Sequence, residues 1–234
     1  MEKQFWTACS DGKLKEVKRL LSINPRCDVN YRHNNNWTSF GRACCEGHIE
    51  IVKFLLNDKR VDVNKASYNG WTPFHIAVHR GHLEIVKLLF NNQKVNTMTT
   101  TNDTTPFHTA CENGHLEIVK LLLSDQRVDV NQVNNDGSTA LHFVCRYGYL
   151  EIAEYILASG KEVDLNIKNN REKTGLDIAN ERNDGRGSWQ NDERFQRRES
   201  NCIKIVELFE SFERNPNETR VKLRLKLGLA GKIF

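Results

Sequence analysis

The chain has 234 residues, 38% of them hydrophobic, and a net charge of +4. Residues 214–234 carry six Lys/Arg against one Glu, so residues 1–213 sum to −1 and offer no nucleic-acid-like basic surface. No apolar run approaches the roughly 18 residues of a membrane span. Met1-Glu-Lys-Gln-Phe5 also lacks a basic head followed by an apolar core. A cytoplasmic or nuclear protein with no membrane span is expected.

Residues 3–23 pattern as two short amphipathic helices, with Phe5, Ala8 and Cys9 on one and Leu14, Val17, Leu20 and Leu21 on the other. The next unit opens after Asn34-Asn-Asn36 with Trp37-Thr-Ser-Phe-Gly-Arg42. Gly41 lowers the helix propensity there, and Gly41→His is expected to raise stability. The clearest unit runs from Gly70 to Leu89. Thr72 can cap, Pro73 fits the first helical position, and Phe74, Ala77 and Val78 form a stripe that Gly81 ends. His82-Leu-Glu-Ile-Val-Lys-Leu-Leu89 opens a second helix with Leu83, Val86 and Leu89 on one face.

The link 91–104 is irregular: it lacks the turn glycine, and its register is expected to differ from the other links. Thr105-Pro-Phe-His108 and Thr139-Ala-Leu-His142 open two further units. The last unit is split, with Thr174-Gly-Leu-Asp-Ile-Ala179 and Cys202-Ile-Lys-Ile-Val-Glu-Leu-Phe209 separated by an insertion over 183–200. Within it, 190–200 are expected to extend the following helix, and Trp189 and Phe195 are candidate anchors for a partner. In the tail, Asn215, Pro216, Glu218 and Gly228 give helix start and stop signals over 216–227. Alternation of Val221, Leu223, Leu225, Leu227 and Leu229 with basic residues competes at strand period. The caps favour a helix whose Val221, Leu225 and Leu229 cover the end of the array; a basic amphipathic membrane or partner contact is the alternative.

The units repeat at a fixed period. Thr38, Thr72, Thr105, Thr139 and Thr174 are spaced by 34, 33, 34 and 35, and Gly12, Gly47, Gly81, Gly114 and Gly148 by 35, 34, 33 and 34. Asp-Val-Asn recurs at 28–30, 62–64 and 129–131 in the polar links. Cys9, Cys44, Cys111 and Cys145 share one core position with Val78; equivalent positions on neighbouring packed helices are too far apart for disulfides. His75 and His79 are four apart, but Gly81 breaks the helix before His82 can join them, so no metal site is expected. No phosphate-cradling loop, nucleophile elbow or His-Glu-x-x-His pattern occurs, and neither an enzyme nor a cofactor is expected.

A period near 33 with Thr-Pro-Phe-His at 72–75 and 105–108, and Gly-His-Leu-Glu-Ile-Val at 81–86 and 114–119, closely resembles the ankyrin repeat. The resemblance implies an all-α solenoid of stacked helix-turn-helix units with β-turn fingers. Its domain would span 1–213, with repeats near 3–34, 35–68, 69–101, 102–135, 136–170 and 171–213, followed by a basic capping helix or tail over 214–234. It also implies a concave groove lined by finger tips and by the residues before each turn glycine. Transferred by position, the partner-binding candidates are Trp37, Glu46, Tyr68, Trp71, His79, Arg80, Glu112, Arg146, Tyr147, Lys168 and Arg171. Trp37, Tyr68, Trp71 and Arg80 are the strongest, because large aromatics and Arg dominate interface energetics; packing of each Trp over its own finger is the competing reading. The function implied is a non-enzymatic protein-binding module, an adaptor, scaffold or inhibitor acting as a monomer. A substrate-recognition subunit of an enzymatic complex is the alternative.

Overall fold

The computed structural model describes residues 1–33, 37–98, 101, 103–183 and 193–230. The architecture is all-α. The chain divides into two compact units, Met1–Pro106 and Phe107–Phe234.

The first unit holds three antiparallel helix pairs: α1 (Glu2–Ser10) with α2 (Leu14–Ile23), α3 (Ser39–Glu46) with α4 (Ile49–Leu56), and α5 (Pro73–Arg80) with α6 (Leu83–Phe90). The inner helices α3 and α5 start and stop on local chemistry. The Thr38 and Thr72 hydroxyls accept from the amides of Gly41 and His75. Gly47 and Gly81 end the helices at φ 80° and 74°, a left-handed conformation that glycine adopts without steric cost. Phe5, Phe40 and Phe74 are fully buried, and α1 packs on α3 as α3 packs on α5. No helix pair could hold this stripe alone, so stacking supplies the core.

Two polar ladders keep the pairs in register. After Gly47 and Gly81 a histidine reaches back one repeat: His48 Nε2 lies 2.8 Å from the Ser10 carbonyl, and His82 Nε2 lies 2.9 Å from that of Cys45. In the fingers, Asn30 donates to the Arg60 carbonyl and accepts from the Asp62 amide, and Asn64 does the same with Lys94 and Asn96. Asp28 and Asp62 accept from the amide two residues on, which shapes each turn. These bonds explain why the links repeat Asp-Val-Asn. In the irregular link, Asp103 takes a left-handed φ of 55° at the position of Gly70, and Thr101 pairs with Thr104 through both backbone bonds. The fingers that pair Ser67 with Trp71 and Asn134 with Ser138 join residues four apart, so this turn closes one residue tighter than those.

The second unit contains α7 (Pro106–Glu112), which begins at the boundary, α8 (Leu116–Leu123), α9 (Ala140–Tyr147), α10 (Leu150–Ala158), α11 (Gly175–Asn183), α12 (Glu193–Arg214) and α13 (Pro216–Lys226). The outer helices carry a Glu–Lys ladder at i,i+3: Glu117 lies 2.6 Å from Lys120, as Glu50 and Glu84 lie 2.7 Å from Lys53 and Lys87 in the first unit. On α10 the basic position of the ladder is occupied by Glu154. Its carboxylate is buried and lies 2.6 Å from Lys226 of α13. A charge inversion on one helix is thus matched by the helix that docks on it.

The tail is helical, and its caps outweigh the alternation: Asn215 accepts from the Glu218 amide, and Pro216 sits at the first helical position. Its buried face differs from expectation. Leu229 is buried as expected, but Val221 and Leu225 are 57% and 64% exposed, and Thr219 and Leu223 are buried instead. The docking groups set the rotation: Thr219 donates to the Ser211 carbonyl, and Arg220 reaches the carbonyls of Leu157 and Lys161. Together with Lys226 they turn the Thr219–Leu223 edge inward.

All seven cysteines are free and buried, the burial of Cys9, Cys44, Cys111 and Cys145 in keeping with their shared core register. Burial pushes the Cys9 thiol up to about 12 and those of Cys44, Cys111 and Cys145 higher still, so these are unreactive packing groups. Among the described residues there is no cluster of metal-ligating side chains and no helix long and apolar enough to cross a membrane.

Candidate functional site

A histidine in the first turn of the inner helix, as on α7 and α9, sets the local frame. His142 is buried, with Nε2 3.0 Å from the Lys173 carbonyl, and its Nδ1 lies 3.0 Å from the Thr139 amide and 2.8 Å from the Thr139 hydroxyl. A carbonyl only accepts, so Nε2 carries the proton and Nδ1 is the acceptor. His108 likewise reaches the Gln132 carbonyl, at 2.9 Å. Trp6 fills this position in the first repeat, donating from Nε1 to the Trp37 carbonyl at 3.0 Å, and Asp177 fills it in the last, accepting from the Thr174 amide and hydroxyl. Trp6, His108 and His142 thus tie an inner helix to a backbone carbonyl of a finger, whereas Gly41 leaves this position without a side chain in the second repeat.

That frame places five of the sequence candidates together in the first unit. Trp37, Tyr68, Trp71, His79 and Arg80, with Ser67, Asn69 and Ile76, line an open concavity of about 250 Å³. Tyr68 is 78% exposed, and the Arg32 guanidinium lies 5.5 Å from its ring centre. Trp71 is half-buried and meets His79 edge-on at 5.1 Å. Each tryptophan packs within its own repeat, Trp37 beside Gly41 and Trp71 against His79, and also lines the concavity. Aromatic faces beside Arg80 can stack with apolar and aromatic groups, while the guanidinium holds a carboxylate.

Trp37 also reverses the expectation for Gly41. A Cβ on Gly41 would come within 2.8 Å of Cε3 of the Trp37 indole, so the glycine is the seat of the indole rather than a defect. Gly41→His should lower the chemical unfolding midpoint of this unit, by about 1–2 kcal/mol after the gain in helix propensity. Gly41→His/Trp37→Ser, which copies the Ser138–His142 pairing, should recover most of the loss. A midpoint raised by the single substitution would contradict the seating.

The remaining candidates lie elsewhere. Glu46 does not line this concavity; it is paired with Arg42 at 2.7 Å, and Arg42 stacks over Trp6. In the second unit, Arg146, Tyr147 and Arg171 line a concavity of about 560 Å³ with Asn169, Lys173, Ile178 and Glu181. Lys173 is neutralised by Glu181 at 2.5 Å. Lys168 is exposed and 3.8 Å from Glu172, outside that concavity. Glu112 lines neither one; partial burial raises its carboxyl pKa, and the nearby charge of Arg146 opposes the rise. Trp189 lies outside the described residues, as does the side chain of Phe195. Sequence reasoning missed Ile76, whose motif position reads as core, and a third concavity around Tyr149, Arg197 and Arg198.

The ankyrin repeat family, described as ankyrin repeats in three copies, matches residues 5–99 and 94–169. The chain belongs to the ankyrin repeat family. Among solved structures it is similar to a chain of the complex of the predatory endopeptidase Bd0816 from Bdellovibrio bacteriovorus with the immunity protein Bd3460. That match has 27% identity and a TM-score of 0.69, and covers 86% of this chain and 97% of the other. No curated protein matches.

Proposed function

We propose that this chain is a non-enzymatic, monomeric binding module that holds a partner protein through the aromatic concavity of its first unit and acts by covering the partner's surface. The observation that carries this reading is the convergence of Trp37, Tyr68, Trp71, His79 and Arg80 on one open depression. An inhibitory role is favoured over scaffolding because the similar chain comes from a complex of an endopeptidase with an immunity protein. On this reading the repeats occupy 1–213, and the helix after Asn215 closes the array.

The test is a photo-cross-linking residue in place of Tyr68 in the full chain, with the same residue in place of Lys53, on the outer face, as control. The Tyr68 position should capture one protein that the Lys53 position does not, and the purified protein should compete for the cross-link. Capture from Lys53 alone would place recognition on the outer face and reject the proposal.

A further inference from the structure

The last repeat departs from the others at its turn. In regular repeats the residue after the turn glycine folds back over the preceding repeat, and Tyr149 does so at Gly114, where a Cβ would meet its ring at 2.6 Å. At Gly148 the covering element is α12 itself. Asn201 donates to the Gly148 carbonyl at 3.0 Å, Cys202 Sγ lies 3.5 Å from the Cys145 carbonyl, and the Arg198 carbonyl would lie 2.9 Å from a Cβ on Gly148. Pinned there, α12 runs on toward its N-terminus at Glu193, past the edge of the turn.

Beside this overhang lies a notch of about 410 Å³, lined by Leu116, Tyr147, Tyr149, Glu151, Arg197 and Arg198 among others. The Tyr147 and Tyr149 rings lie 5.8 Å apart at 32° and give it an aromatic wall. Arg197 and Arg198 are exposed, and among the described residues neither has an ion-pair partner. Tyr147 also lines the neighbouring concavity that contains Arg146 and Arg171, two more guanidinium groups without an ion pair among the described residues. Two guanidinium groups thus line the notch with both tyrosines and two more lie with Tyr147 in the neighbouring concavity, against the carboxylates of Glu151 in the notch and Glu112 near Tyr149 and Arg146.

We infer that the α12 overhang forms a second binding surface, separate from the aromatic concavity of the first unit, which takes an acidic peptide segment of a partner with one aromatic or aliphatic side chain seated against Tyr147 and Tyr149. Carboxylates on the segment match the guanidinium groups on both sides of Tyr147. The apolar wall selects an uncharged side chain between them. Glu151 and Glu112 repel the unbroken negative charge of a nucleic acid, so a peptide is the favoured ligand.

The experiment selects a phage-displayed random peptide library on the full-length Tyr68→Ala/Arg80→Ala chain, which removes the first-unit groups and keeps success here independent of the proposed function. Affinities of the winning synthetic peptides are then read by fluorescence anisotropy. Acidic peptides carrying one aromatic or aliphatic residue are expected. They should bind Arg197→Glu/Arg198→Glu about tenfold or more weakly, with its circular dichroism unchanged. The inference is overturned if no peptide is enriched, if the winners lack acidic residues, if they bind the charge-reversed chain equally, or if a single-stranded oligonucleotide displaces them at lower concentration.

Discussion

His142→Ala should destabilise the second unit by about 3 kcal/mol, the combined effect of a cavity and of backbone groups at Thr139 and Lys173 left without their partner. The ring is buried and makes contacts that no other side chain nearby can replace. Hydrogen exchange at the α9 amides would read the change locally, and exchange within a factor of two of the wild type would contradict the role given to the imidazole. His142→Asn should lose less, because its side chain retains one acceptor and one donor.

The same geometry fixes a pH dependence. Burial lowers the pKa of both His108 and His142; for His142 the Arg146 charge adds to the effect, while hydrogen bonds to carbonyls oppose it in both. For His108, His142 lowers and Asp129 raises the value. Protonating Nδ1 of His142 would also set an N–H against the Thr139 amide donor. The unfolded chain therefore takes up protons first as pH falls below the ordinary imidazole value near 6.5. Stability is complete above that pH and declines below it, with a slope of up to about 1.4 kcal/mol per pH unit for each imidazole, until the lowered folded values are reached. Replacing both histidines with Asn should flatten the curve between pH 7 and pH 5.

Much of the scaffold is legible in the chain because its signals are local. Thr72, Pro73 and Gly81 act within one helix, so they can be read before any packing is known. What depends on a neighbour is not legible in the same way. Trp6 shares no chemistry with His142 beyond a ring N–H, and its equivalence appears only when the Trp37 carbonyl is found opposite it. Gly41 reads as a helix defect until the Trp37 indole is seen to rest on it. The inward face of α13 was misread because Glu154 and Ser211, on other helices, set its rotation. In the candidate site, finger and pre-turn positions are periodic, and the resemblance to ankyrin repeats is what assigns Trp37, Tyr68, Trp71, His79 and Arg80 to a groove. That Trp37 lines the concavity while Glu46 turns to Arg42 is decided by side-chain direction. Arg197 and Arg198 are visible in sequence only as charge in an insertion. The notch arises from where Asn201 anchors the helix that carries them.

Tyr68→Ala/Arg80→Ala should abolish most of the partner affinity while leaving the fold intact, since both side chains are exposed. Each has the size and chemistry of an interface anchor, and truncating two such residues together costs on the order of 3–4 kcal/mol, a loss of several hundredfold. Substitutions outside the concavity such as Lys168→Ala, whose side chain is exposed and already near Glu172, should change affinity by less than about threefold. The decisive measurement is a calorimetric titration of the partner recovered by cross-linking into the wild-type chain and into Tyr68→Ala/Arg80→Ala. The groove predicts a Kd raised at least a hundredfold at unchanged stoichiometry and unchanged unfolding midpoint. A Kd within threefold of the wild type would place recognition elsewhere on the chain and contradict it.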